Sequence, residues 1–246
     1  MIPLSDDNPK LLKPVATGGI IVLNILVWLF AQGAGTEPYV AASVCVLGII
    51  PGELLQTLPA GTSLPIAPGL FCVLDAEPNW YTLVSYMFLH GSWMHLLGNL
   101  WFLWVFGRSV EDSTGPLRFV AFYLISGLAA AALQLGFSPA SGIPMVGASG
   151  AIGGVMGAYL MLYPRVRVTM LIFLIVYITT ISVPAMFMLL YWLFVQFIGG
   201  LGSIGNDSGG VAFWAHIGGF VTGAAMIWLF VDKTLLRRHP HFGWRR

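Results

Sequence analysis

The chain has 246 residues, of which 57% are hydrophobic and 9% charged, and its formal net charge is +1. A soluble domain carries roughly 25% charged residues, so this composition, with a mean hydropathy of +0.84, excludes an ordinary soluble globule and predicts a polytopic membrane protein. At about 20 apolar residues per helical crossing, the length suits one all-α domain of about six spans. Net charge carries no information on partners here; the placement of the charges does.

Residues 1–14 are polar and contain Asp6, Asp7, Pro9, Lys10, Lys13 and Pro14, which predicts a short flexible tail without a cleavable signal. The first span is expected at about Val15–Gln32. A long connection, 33–93, follows. Pro38, Pro51, Pro59, Pro65, Pro68 and Pro78 forbid a continuous helix through it. Its run Tyr39–Ile50 is too short to cross and is expected to lie in the interface or against the bundle. The second span is expected at about Trp93–Phe106, then a polar turn from Gly107 to Pro116, and a third span at about Leu117–Phe137. A loop, Ser138–Val146, leads to a fourth span, Ser149–Tyr163, which ends in the basic turn Pro164-Arg165-Val166-Arg167. Residues 168–199 hold apolar length for about one and a half spans, interrupted at Pro184. Gly199–Gly210, with Asn206 and Asp207, is a Gly-rich loop, and the last span is about Val211–Val231 before a basic tail.

The parity of the chain turns on 168–182. If 168–199 crosses once, at about Val183–Ile198, all eleven basic residues fall on one side: Lys10, Lys13, Arg108, Arg118, Arg165, Arg167, Lys233, Arg237, Arg238, Arg245 and Arg246. The other side receives Glu37, Glu53, Asp75, Glu77 and Asp207. The positive-inside rule then places both termini in the cytoplasm. Residues 168–182 are accordingly expected as an interfacial or tilted lead-in. The organisation expected is a cytoplasmic tail (1–14), a six-span body (15–231) and a basic cytoplasmic tail (232–246) near anionic lipid.

In this arrangement three polar clusters open the second, fourth and sixth spans: His95 with Asn99, Ser149 in Gly147-Ala148-Ser149-Gly150, and His216 in Ala215-His216-Ile217-Gly218-Gly219. Ionisable groups inside a membrane are expensive and mark cavities and functional sites. A serine hydroxyl becomes a nucleophile when a base takes its proton, and His216 is the candidate base. Gly147 allows a sharp turn beside the serine, and Gly150 is expected to leave room at its hydroxyl. Gly150, Gly153, Gly154 and Gly157 on one span, and Gly219 and Gly223 on another, form G-x-x-x-G faces that let helices approach closely. Such contact would bring Ser149 against His216. Ser149 is expected several Å below the outer surface, in a pit that admits water.

From about Trp80 to Val231 the sequence resembles a rhomboid intramembrane serine protease. The resemblance rests on His95-Leu96-Leu97-Gly98-Asn99, on Gly147-Ala148-Ser149-Gly150, and on Ala215-His216-Ile217-Gly218-Gly219 with Gly223, in the family's order. It implies that Ser149 is the nucleophile and His216 the general base of a two-residue dyad. Asn99, His95 and the Ser149 backbone N–H would hold the oxyanion, and His90 would be structural. The implied substrates are single-span membrane proteins in the bilayer, cut near the outer face at small residues with Gly or Pro nearby. Where some members carry an aromatic residue stacking on the base, this chain has Gly153, so His216 must be oriented differently.

No cofactor, metal or nucleic-acid site is expected. Cys45 and Cys72 both lie in the outer loop and are either a disulfide or two buried thiols. A prokaryotic plasma membrane, with the site opening to the extracytoplasmic side, is the expected setting. The competing classes are a proteolytically silent rhomboid-like protein that binds membrane helices and, less consistent with the apolar inner halves of the spans, a small transporter.

Overall fold

The computed structural model describes residues 2–174, 177–204 and 210–242 and is mostly helical. Asn206, Asp207, Arg245 and Arg246 lie outside the described residues. Seven helices of nine residues or more occur among the described residues: α1 (Val15–Leu26), α2 (Tyr39–Leu47), α3 (Trp93–Phe102), α4 (Pro116–Phe137), α5 (Ser149–Leu162), α6 (Ala185–Ser203) and α7 (Phe213–Phe230). Five strands accompany them: β1 (Ile2–Asp6), β2 (Ser63–Ala67), β3 (Leu70–Val73), β4 (Arg167–Leu174) and β5 (Tyr177–Pro184). Helices α4, α6 and α7 are long and apolar enough to cross a membrane; α5, and α1 with its extension to Ala31, are apolar but shorter.

The centre is built on glycine. A Cβ added at Gly219 would lie 1.9 Å from the Gly150 carbonyl oxygen, and one at Gly223 would lie 2.1 Å from that of Gly154. A Cβ at Gly157 would lie 2.1 Å from the Phe220 oxygen. Helices α5 and α7 therefore touch backbone to backbone, as the spacing of their glycines predicts. Helix α4 closes on both: a Cβ at Gly154 would meet Ser126, and one at Gly218 would meet Leu133. The buried face of α5 leaves no room for side chains larger than those present.

Three expectations need correction. The segment 107–116 is not a polar turn. A wide turn at Leu103–Gly107 carries α3 into a further helix, Arg108–Thr114, whose residues from Ser109 to Thr114 are all buried. Its acids are buried because they satisfy backbone N–H groups of the N-terminal segment: Glu111 at the open start of α1, and Asp112 in the stretch just before it. The Glu111 carboxylate accepts from the Ala16 and Thr17 N–H groups, each at 2.8 Å, and from the Thr17 hydroxyl at 2.7 Å. Asp112 accepts from the Leu11 and Leu12 N–H groups at 2.9 and 2.7 Å. The first backbone N–H groups of a helix lack internal partners and attract negative charge.

The N-terminal residues are not a loose tail. Strand β1 pairs antiparallel with β4, and β4 with β5, in the order β1-β4-β5. Asp6 anchors β1 by accepting from Tyr159 Oη at 2.8 Å and from Lys10 Nζ at 2.6 Å. Where an interfacial or tilted lead-in is expected over 168–182, residues 168–174 and 177–182 are instead paired antiparallel strands. The β-branched residues among 168–172 and 178–183 (Val168, Thr169, Ile172, Ile178, Thr179, Thr180, Ile181, Val183) suit a pleated strand better than a helix. A single helix, α6, follows at Ala185–Ser203, beginning after Pro184 and running past the expected Ile198.

The long connection between α1 and α3 contains α2, a short helix at Pro51–Leu54 and the β2–β3 hairpin. Cys45 and Cys72 form a disulfide with their Cα atoms 5.5 Å apart, tying α2 to β3. This connection braces the loop before α5. Ile49 and Met145 exchange backbone hydrogen bonds of 3.1 and 2.7 Å, and Gly52 N–H donates to Ser141 O at 2.9 Å.

Candidate active site

Helix α5 begins at Ser149, directly after a turn that only glycine accommodates well. Gly147 has φ +125°, a backbone conformation L side chains rarely adopt. A Cβ there would also lie 2.7 Å from His95 Nε2 and 3.6 Å from Asn99 Nδ2. The Gly147 N–H donates to Tyr86 O at 2.9 Å, while Tyr86 Oη donates to Gly127 O at 2.8 Å on α4. The turn carrying the serine is thereby pinned from two sides. Gly150 serves differently from its expected role: a Cβ there would meet Ala130 at 2.7 Å and Tyr86 Oη at 3.4 Å. Its bareness lets helices close and does not open a path to the serine hydroxyl.

Ser149 Oγ and His216 Nε2 are 2.7 Å apart, a direct hydrogen bond between α5 and α7. The glycine contacts one turn below hold the two helices close enough for it. His216 Nδ1 is 2.7 Å from the Gln196 side-chain oxygen on α6. An amide oxygen only accepts, so Nδ1 carries the ring proton, and Nε2 presents a lone pair to the serine. The Trp192 ring lies over His216, centroids 5.7 Å apart and planes at 35°. A Cβ at Gly153 would lie 2.9 Å from the His216 carbonyl oxygen. The aromatic cover therefore comes from α6 and not from the serine's own helix.

His95 and Asn99 stand on one face of α3, one turn apart. Ser92 Oγ caps that helix by accepting from the His95 N–H at 3.1 Å. Gly91 N–H points at His95 Nδ1 at 3.4 Å, which leaves the proton on Nε2, the nitrogen that faces Gly147. Asn99 is 7% exposed, and its Nδ2 has no hydrogen-bond partner. A buried donor without an acceptor is uncommon and needs an explanation. A cavity of about 340 Å³ reaches His95 and is lined in part also by Gln134, Met145, Val146 and Ala212; Asn99, Ser149 and His216 are not among its lining residues.

Ser149 and His216 thus touch directly across the starts of α5 and α7, and His95 and Asn99 on α3 lie against the Gly147 turn before Ser149. His90 stands apart. It is fully buried, exchanges backbone hydrogen bonds of 2.8 Å with the Gln32 side chain, and meets His95 edge-on with centroids 5.0 Å apart. Gln196 and Trp192 were missed by sequence reasoning. The available signal was a carboxamide in the middle of an otherwise apolar run, with an aromatic residue four positions before it.

Residues 77–233, well over half the chain and containing every residue of the site, match the Rhomboid domain family. The chain belongs to the rhomboid family. It is therefore an integral membrane protein, in keeping with its apolar helices. Rhomboid-like protein 11, chloroplastic, of Arabidopsis thaliana is 39% identical over 77 residues, covering 31% of this rhomboid and 27% of the relative. Rhomboid protease GluP of Bacillus subtilis (strain 168) is 39% identical over 87 residues, 35% of this rhomboid and 17% of GluP. RHOMBOID-like protein 4 of Arabidopsis thaliana is 33% identical over 172 residues, 70% of this rhomboid and 38% of the relative. This rhomboid spans well under half the length of each of the three.

Proposed function

We propose that this rhomboid is an intramembrane serine endopeptidase that hydrolyses peptide bonds in or near the transmembrane segments of membrane proteins. The observation that carries this reading is the 2.7 Å hydrogen bond between Ser149 Oγ and His216 Nε2 beside the unpartnered Asn99 amide. His216 Nε2 takes the hydroxyl proton as Oγ attacks the scissile carbonyl. The oxyanion that forms accepts from Asn99 Nδ2, His95 Nε2 and the Ser149 N–H. The tetrahedral intermediate collapses, and His216 returns its proton to the leaving amine. Water, deprotonated by His216, then attacks the acyl-enzyme carbonyl; the acyl C–Oγ bond breaks, His216 gives its proton to Ser149 Oγ, and the carboxyl product leaves. Preorganised donors in a site shielded from water are worth about 10²–10³-fold each in such reactions.

In this reading residues 15–231 form a six-span body with both termini cytoplasmic, and the site opens to the extracytoplasmic side. With six spans all eleven basic residues would fall on one side, which by the positive-inside rule supports that orientation. The Bacillus subtilis relative supports a bacterial setting, and a prokaryotic plasma membrane is the setting proposed. Substrates are single-span proteins whose outer segment carries small residues at the cut and Gly or Pro nearby, because an intact helix hides its carbonyls.

The test is cleavage of a single-span substrate in reconstituted membranes by the wild type, Ser149→Ala and His216→Ala. Cleavage by the wild type and its loss in both variants, with thermal stability retained, is expected. Cleavage that survives Ser149→Ala would overturn the mechanism. Equal cleavage of an all-Leu span would overturn the substrate preference.

A further inference from the structure

The His216 ring has two nitrogens, and either can hold the proton of the neutral ring. Only the form protonated at Nδ1 can take a proton from Ser149. Nothing on α5 or α7 selects that form, because Gly153 offers no side chain and Nε2 already faces Ser149. The selection comes from α6. Gln196 is 8% exposed and directs its oxygen to Nδ1 at 2.7 Å. Trp192 lies one turn earlier on the same face and covers the ring; it also stacks on Phe220 with centroids 6.0 Å apart and planes at 30°. The far end of α6 is seated on the start of α7. Cβ atoms at Gly199 and Gly200 would meet the rings of Phe213 and Trp214 at 2.4 and 3.2 Å. These contacts fix the height of Gln196 against His216.

We propose that Gln196 and Trp192 are positioning residues that hold His216 in its Nδ1-protonated form, facing Ser149. The proposal rests on the serine-protease reading for its consequence in turnover, though not for the state of the ring. Both act on turnover through His216, the side chain each contacts. Gln196 accepts the Nδ1 proton throughout the cycle, and it stabilises the doubly protonated ring when His216 has taken the serine proton. Trp192 prevents the ring from rotating away. The pairing also explains how the base is oriented without a carboxylate among its described contacts and without an aromatic residue on α5. A neutral acceptor suits a site inside a membrane, where a buried carboxylate would be costly.

The experiment compares the wild type with Gln196→Met, which keeps the length and removes the strong acceptor, Gln196→Glu, which restores an acceptor, and Trp192→Leu. The protein carries ¹⁵N-labelled histidine in detergent micelles, and the His216 signals are identified by their absence in His216→Asn. The wild type should show the Nδ1-protonated pattern. Gln196→Met should show a mixture of the two forms, and kcat should fall at least tenfold with KM nearly unchanged. Gln196→Glu should recover the wild-type pattern and most of kcat. Trp192→Leu should broaden the His216 signals and lower kcat several-fold. An unchanged ¹⁵N pattern and unchanged kcat in Gln196→Met would overturn the proposal while Ser149→Ala remained inactive. If instead Ser149→Ala still cut substrate, the protease reading would fall, and the ¹⁵N pattern would still decide the role of Gln196. A stability loss in Gln196→Met with no change in the ring pattern would mark a packing residue and also overturn the proposal.

Discussion

The glycine seam between α5 and α7 can be tested by one methyl group. In Gly223→Ala the new Cβ would lie 2.1 Å from the Gly154 carbonyl oxygen, where ordinary contact begins near 3.4 Å. The clash is with backbone on both sides, so neither a rotamer change nor a flexible side chain relieves it. The helices must part by more than 1 Å at that level. Overpacking of a well-packed core costs about 1–3 kcal/mol, and the upper end is expected here because the obstacle is rigid. His216 sits two turns from Gly223 on the same helix, so the displacement reaches the 2.7 Å bond to Ser149. A misplacement of about 1 Å in a catalytic constellation costs roughly 10²-fold. The assay pairs thermal unfolding in detergent with kcat/KM on a single-span substrate. Gly19→Ala serves as the control, since a Cβ there meets nothing within 4 Å. Alanine in a helix is better than glycine by up to about 1 kcal/mol, so this control should be as stable or slightly more so, with unchanged activity. If Gly223→Ala matched Gly19→Ala in both measurements, the backbone-contact argument would be refuted.

Three further outcomes follow from named contacts. Asn99→Ala should lower kcat by about 10²–10³-fold with little change in KM or unfolding temperature, because its amide donor has no partner at rest; a kcat within threefold of wild type would remove it from the oxyanion site. Glu111→Ala would strand two buried N–H groups and a hydroxyl, at about 1–3 kcal/mol each, so unfolding should be easier by at least about 3 kcal/mol, with Glu111→Gln milder; an unfolding free energy within 1 kcal/mol of wild type, at the resolution of such measurements, would contradict the capping role. Burial pushes the His239 imidazole below its ordinary value, against the opposing pull of the Asp112 carboxylate, and both ring nitrogens lack hydrogen-bond partners. The unfolded chain therefore takes up a proton, near its ordinary pKa of about 6.5, that the folded chain resists. Stability should be full above that pH and decline as pH falls below it, and His239→Gln should flatten this part of the unfolding-temperature profile; an identical slope in the variant would show that other groups set it.

Local signals in the chain made part of this architecture legible. A serine two residues after Gly147 and ahead of an apolar run marks the start of α5, and the four-residue spacing of glycines on α5 and α7 already states that these helices touch. What stayed hidden depends on partners far away in the chain. Asp112 and Glu111 read as a polar turn because charge is normally exposed; they are buried because Glu111 closes the start of α1 and Asp112 takes the Leu11 and Leu12 N–H groups just before it, about a hundred residues earlier. Residues 168–182 read as membrane-lying apolar length, yet β4 finds an edge partner in β1 at the opposite end of the chain. The absent aromatic at Gly153 is the most instructive case. From sequence it registers only as a gap in the support of His216. Filling that gap from α6 requires knowing how α6 is rotated about its axis, which hydropathy does not encode and the Gly199–Phe213 and Gly200–Trp214 contacts do determine. The base is thus oriented from a helix with no backbone-to-backbone seam of its own: 28% of the most apolar stretch of α6 is buried, against 39% for α4 and for α7. Backbone hydrogen bonds hold only its start, Ala185 N–H to Val166 O at 2.8 Å and Met186 N–H to Pro164 O at 3.0 Å; along the rest side-chain contacts set its rotation, so the state of the His216 ring reports on how α6 is seated.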